Sequence, residues 1–173
     1  MPIERALFVV GPQNAGKSTQ LRAMFLDWQL QNGGEISTAK KIPETYRLSN
    51  ERRLYLRLTS PHEYGETPDE WLSKIGTKTR DGRWCIANAL QPNAENNMPD
   101  VVEAVLGFMQ RFDPERIRVI FLSPTWTGDT IENYAPGVDS VSPLLAVSIE
   151  VAMVDARTRQ GNGLFLADFF DFT

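Results

Sequence analysis

Gly11-Pro12-Gln13-Asn14-Ala15-Gly16-Lys17-Ser18 stands between two segments of different periodicity. Before it, Ala6 to Val10 is a continuous apolar run of the kind buried on both faces of a parallel sheet. After it, Leu21, Met24, Phe25 and Trp28 fall at i, i+3, i+4 and i+7, one face of a helix opening at Lys17 and stopping at Asn32-Gly33-Gly34. Glycine adopts conformations forbidden to residues with a Cβ, so the amides of the loop can turn inward toward an anion. Lys17 brings a point charge to that place, Ser18 a hydroxyl, and the helix start its positive dipole end. The pattern G-x-x-x-x-G-K-[ST], met here by Gly11, Gly16, Lys17 and Ser18, matches by chance at roughly 0.00004 per start, about 0.6% over about 165 starts, before the flanking strand and helix are required. A phosphate-binding loop is the reading that uses all three segments.

Outward from the loop, strand and helix signals alternate. Thr45 to Leu48 and Arg53 to Leu58, parted by Ser49-Asn50-Glu51-Arg52, predict a hairpin whose second arm lies beside the first strand. Thr67-Pro68 with Glu70 is a capping-box start leading into Trp71, Leu72 and Ile75, with Gly76 as the stop. A strand from Trp84 to Leu90 follows Asp81-Gly82. A helix from Asp100 to Phe112 carries Val101, Val105, Phe108 and Phe112 on one stripe, and Ile117 to Leu122 is a buried strand. Pro143 to about Gln160 is expected to be helical, Gly161-Asn162-Gly163 a turn, and Leu164 to Phe172 a final strand or docked tail. The alternation predicts an α/β fold, a three-layer α/β/α sandwich with a mostly parallel central sheet and its ligand at the carboxyl ends of the strands. With 173 residues, 42% of them hydrophobic, the chain reads as a single domain over 1–173.

A formal net charge of −4 argues against a chain that wraps nucleic acid or coats an anionic membrane. The one cysteine, Cys85, sits beside Trp84, Ile86 and Ala87, so it forms no internal disulfide and is expected to be packed and reduced. The N-terminal Met-Pro-Ile-Glu-Arg lacks a signal-peptide pattern, and no run approaches the ~18 apolar residues of a membrane span. These features predict a cytoplasmic protein.

Gly11, Gly16, Lys17, Ser18 and Thr19 in their strand–loop–helix setting resemble the P-loop NTPase superfamily. The resemblance implies a nucleoside triphosphate, ATP or GTP, with Mg²⁺. Gly11, Asn14, Ala15, Gly16, Lys17, Ser18 and Thr19 would hold the phosphates, and Ser18 and Thr38 would offer hydroxyls to the metal. Beyond the first thirty residues the order of elements looks like the small Ras-like GTPases. A polar segment with Ser37 and Thr38 precedes the hairpin, and His62-Glu63-Tyr64-Gly65 occupies the place of D-x-x-G. The sequence departs from that family in having His62 where the aspartate would be. It also has Ser123-Pro124-Thr125-Trp126 in place of the N-K-x-D that reads guanine, so no guanine preference follows.

Phosphoryl transfer is mostly positioning and charge stabilisation, and needs a carboxylate near the metal and a group that orients the attacking water. Glu63 is the best-placed carboxylate, against the alternative of a solvated loop acid; Asp155, after Val151-Ala152-Met153-Val154, is a remoter one. His62, the only histidine, can orient a water or contact the γ-phosphate, or be surface. With Lys17 these make the candidate catalytic set. Trp126 can stack on a nucleobase or be a partly buried anchor. Arg157 and Arg159 can supply a mobile arginine or close a helix. Three functions remain open: a Mg²⁺-dependent NTPase or nucleotide switch, a small-molecule or nucleotide kinase, and a catalytically silent nucleotide-binding module that gates a protein partner.

Overall fold

The structure, a computed structural model, describes residues 3–30, 38–136 and 139–170. Six strands form one sheet in the order β2-β3-β4-β1-β5-β6. They are β1 (Ile3–Val10), β2 (Thr45–Arg47), β3 (Arg52–Arg57), β4 (Arg83–Leu90), β5 (Arg116–Leu122) and β6 (Glu150–Val154). Every neighbouring pair is parallel except β2 with β3, which is the predicted hairpin. Burial tracks position in the sheet. Apart from Arg5 the whole of β1 is buried, and so is β4 apart from Arg83, whereas β2 and β6 at the edges are half open.

Along β1 the side chains alternate between two cores. Ala6, Phe8 and Val10 face one, with Trp71 and Phe108; Leu7 and Val9 face the other, with Leu21, Phe25 and Leu166. On the first face lie α2 (Pro68–Lys78), α3 (Val101–Phe112) and the short α4 (Ile131–Tyr134) and α5 (Ser142–Ala146). There the ring of Phe8 meets Phe108 edge-on at 5.1 Å between centroids. On the second face lie α1 (Lys17–Ala23) and α6 (Arg159–Asp168). The chain is therefore α/β with a mostly parallel mixed sheet covered on both faces. Cys85 is buried in the second core, and burial pushes its thiol up to about 12.

Local chemistry accounts for the element ends. Thr67 Oγ1 accepts the Glu70 amide at 3.3 Å while Glu70 Oε2 accepts the Thr67 amide at 2.9 Å, the reciprocal capping box that starts α2. The helix then runs through Gly76 to Lys78 instead of stopping at the glycine. Asp100 caps α3 by accepting the Glu103 amide at 3.0 Å.

Four further expectations need correction. The second arm of the hairpin, β3, does not lie beside β1; β4 is inserted between them. The reason is burial: β4 is buried on both faces over seven residues, all but Asn88 apolar, and takes the central place, while β3 begins with Arg52 and Arg53. The first helix ends at Ala23 and continues only as 3₁₀ turns over Met24–Leu26 and Trp28–Leu30. Between the turns Asp27 is extended and its carboxylate accepts the Gln29 amide, which leaves Trp28 exposed. The helix expected from Pro143 to Gln160 stops at Ala146, and Glu150–Val154 pairs with β5 as a strand. Finally, Gly161-Asn162-Gly163 is no turn but part of α6. A Cβ at Gly163 would lie 2.2 Å from the Ala23 carbonyl oxygen, so glycine is what lets α6 close on α1. Asn32-Gly33-Gly34, Ser37 and Phe172 lie outside the described residues.

Candidate functional site

β1 delivers the chain to Gly11 at its carboxyl end, and β3 delivers Leu58 and Thr59 at the same edge of the sheet. Between them is a cavity of about 180 Å³, bounded by loop residues 13–18 on one side and by Leu58, Thr59 and Glu63 on the other. Asn14 (φ 62) and Gly16 (φ 100) are left-handed, and the Ala15 amide bonds the Pro12 carbonyl at 3.2 Å, which folds the loop back toward the helix. Gly16 precedes α1 and offers no capping side chain, so the first-turn amides are left for an anion.

The loop is braced from three strands. The Gly11 amide bonds the Leu90 carbonyl of β4 at 3.3 Å, and the Trp126 amide beyond β5 bonds the Ala15 carbonyl at 3.1 Å. Beneath it the buried Gln20 donates to the Ala156 carbonyl at 2.7 Å and accepts from Asn162 at 3.0 Å; Asn162 also donates to the Asp155 carbonyl. This buried amide pair ties the exit of β6 to α1 and α6.

Lys17 is 5% exposed and its ammonium donates to the carbonyls of Gly11 at 2.9 Å and Pro12 at 2.8 Å. An ammonium has three donors, so one remains for the cavity. Across the cavity Glu63 Oε1 lies 3.7 Å from Nζ, beyond hydrogen-bond length but close enough to pair the charges. Burial lowers the Lys17 pKa below its ordinary value, and Glu63 opposes that shift.

Glu63 rides on a 3₁₀ turn, Pro61–Tyr64, held from behind by His62. The His62 ring is fully buried; Nε2 lies 2.8 Å from the Pro99 carbonyl and Nδ1 2.8 Å from the Ser60 hydroxyl. A carbonyl can only accept, so Nε2 carries the proton; in the neutral ring, the form that burial favours, Nδ1 accepts from the Ser60 hydroxyl. Burial lowers its pKa, against the pull of the Pro99 carbonyl and Glu95. Asn96 and Asn97 fasten the same turn by donating to the carbonyls of His62 and Gly65 at 2.8 Å.

The structure thus brings Asn14, Ala15, Gly16, Lys17, Ser18 and Glu63 to one cavity and keeps others out. Gly11 takes part through its carbonyl, while Thr19 lies off the lining. The expected role of His62 in orienting a water or touching a phosphate is corrected: both ring nitrogens are spent inside the protein, and it positions Glu63. Thr38 is exposed and off the lining, whereas Ser18 and Thr59 bring hydroxyls to the cavity. Asp155 is held by Arg157 in a two-point pair at 2.8 and 2.7 Å that lowers its carboxyl to about 2. Arg159 opens α6 instead of closing a helix. Trp126 is 62% exposed and flanks the loop, with its Cβ 3.7 Å from where a Cβ on Gly16 would stand, so it is not a buried anchor.

No family model, curated protein or solved structure matches the chain. Thr59 and Leu58 line the cavity although no motif marks them; their one signal is that they follow a strand at the edge where ligands bind. Among the described residues, no cluster of three or more His, Cys, Asp or Glu side chains is arranged to hold a metal. Ser18, Thr59 and Glu63 bring a hydroxyl or carboxylate oxygen to the lining of the cavity.

Proposed function

We propose that the chain binds a Mg²⁺–nucleoside triphosphate, ATP or GTP, at the Gly11–Ser18 loop and hydrolyses it, as a compact NTPase or nucleotide-dependent switch of the P-loop NTPase superfamily. The observation that carries the reading is the buried Lys17 ammonium, anchored to two loop carbonyls with Glu63 facing it across the cavity. At about 180 Å³ the cavity suits the phosphates and not a whole nucleotide. The nucleoside would extend onto the surface beside the loop, where the Trp126 indole is free to stack on the base. The first-turn amides and Lys17 hold the phosphate oxygens, Ser18 offers its hydroxyl to the ion, and Glu63 orients the attacking water and accepts its proton. Bound Mg²⁺ supplies neutralisation of the phosphate charge.

Phosphate release from ATP and GTP, with no second substrate added, tests the reading. Turnover supports it, whereas binding without turnover favours the silent module that gates a protein partner. That alternative draws on β4, the strand beside β1, which ends at Leu90 and Gln91 with no carboxylate. A second cavity next to the first favours the kinase reading instead, in which phosphate would pass to an acceptor with little hydrolysis on its own.

A further inference from the structure

The cavity beside the loop is the larger of the two, about 720 Å³, and Leu58 and Thr59 form a wall common to both. Its size falls within the range of small-molecule sites. Five cations line it: Lys40, Lys41, Arg57, Lys74 and Lys78. Only Glu44 and Glu66 oppose them. Glu44 is matched by Lys78 at 2.9 Å on the rim. Glu66, on the floor, takes both guanidinium nitrogens of Arg57 at 2.8 Å and also Lys74 at 2.6 Å. Arg57 is 8% and Glu66 7% exposed, so two cations share one buried carboxylate and the floor keeps an uncompensated positive charge.

Lys40 and Lys41 enter no ion pair among the described residues. With Lys74 they leave three positive charges in excess around one cavity, in a chain whose net charge is −4. A surface of that kind concentrates small anions against the field of the rest of the molecule. A phosphate monoester brings up to two negative charges and three acceptor oxygens, enough to engage several ammonium groups at once. Ile42, Leu56 and the exposed Tyr64 also line the cavity and give the organic part of such a molecule an apolar wall.

We propose that the cavity bounded by Lys40, Lys41 and the Arg57–Glu66–Lys74 triad is a second ligand site, which takes a small phosphate monoester beside the loop. The proposal needs only the cavity and its charges, so it stands or falls apart from the triphosphate reading.

The probe is phenyl phosphate, titrated calorimetrically at low salt into the full chain carrying Lys17→Ala, which disables the loop as a competing anion site. Saturable binding is expected, tighter than for inorganic phosphate because of the apolar wall, and weakened at least tenfold when Lys40→Glu and Lys41→Glu are added. Both lysines are exposed, so these changes leave the fold intact, and thermal melting of the variant checks that directly. Absence of saturation at millimolar probe overturns the proposal, as does equal affinity in the Lys40→Glu/Lys41→Glu chain or equally tight binding of citrate. If phenyl phosphate binds as described while ATP and GTP fail to bind the unmodified chain, only the triphosphate reading falls. If the nucleotides bind and phenyl phosphate does not, only the second site falls.

Discussion

Lys17 Nζ faces Glu63 Oε1 at 3.7 Å across the loop cavity while it donates to the carbonyls of Gly11 and Pro12. The carboxylate compensates a buried cation, and the two charges define where an anion and a divalent cation would meet. Two unit charges about 4 Å apart interact by roughly 4 kcal/mol at an effective dielectric constant near 20, so removing either charge changes what the other attracts.

That relationship makes Glu63→Gln informative. Without metal, Glu63 repels the phosphates that Lys17 attracts, so the variant is expected to bind Mg²⁺-free nucleotide about tenfold more tightly, a gain of roughly 1.4 kcal/mol. Phosphate release in the presence of Mg²⁺ should fall by about a hundredfold, the lower end of what a positioned base contributes. Unchanged turnover would remove Glu63 from the mechanism.

His62 predicts a pH dependence of stability. Its folded pKa is lowered, so below about pH 6.5 the unfolded chain binds more protons than the native one. The contribution is complete above pH 6.5 and is lost as pH falls from there toward the folded value. His62→Ala should flatten that part of the stability profile and cost about 1–3 kcal/mol at pH 7, because Ser60 and Pro99 lose a buried partner. Urea unfolding at pH 7 and 5.5 on both proteins measures it, and equal slopes would contradict the neutral, doubly bonded ring.

The buried triad gives a contrast within one cluster. Burial pushes the Glu66 carboxyl up, but the bonds from Arg57 and Lys74 outweigh it and leave the group below its ordinary value. Glu66→Ala strands the buried Arg57 charge and should cost about 3–5 kcal/mol, whereas Lys74→Ala, half exposed, should cost under about 1 kcal/mol. Chemical denaturation of the two variants compares them directly.

Gly163→Ala tests the packing of α6 on α1. The added methyl would meet the Ala23 carbonyl, and overpacking of this kind costs about 1–3 kcal/mol or more. A fall of roughly 2–10 °C in Tm is expected, read by thermal melting.

Much of this was legible in the residues. The Gly11–Ser18 loop, the hairpin, the capping box at Thr67 and the buried strand near Ile117 all declare themselves through local rules that need only neighbouring residues. Strand order is not local. The insertion of β4 beside β1 follows from Cys85-Ile86-Ala87 and Ala89-Leu90 being apolar on both faces, a signal present in the sequence but outweighed by the hairpin's nearness in chain order. Gly163 reads as part of a turn because the reason for it, the Ala23 carbonyl, is 140 residues away. His62 reads as a group at the mouth of the site but faces inward, since Pro99 and Ser60 claim both its nitrogens. The placing of Lys40 and Lys41 around one cavity with Arg57 and Glu66 likewise depends on how distant segments come together.

The most direct test is calorimetric titration of ATP and GTP, each with Mg²⁺, into the unmodified chain and Lys17→Ala. Removing the ammonium takes away the one buried cation of the loop cavity and leaves the 3₁₀ turn bearing Glu63 in place. Saturable binding to the unmodified chain, weakened at least a hundredfold by Lys17→Ala, is the predicted result. Failure of both nucleotides to bind the unmodified chain at millimolar concentration, or equal binding to the variant, would contradict a triphosphate site at Gly11–Ser18.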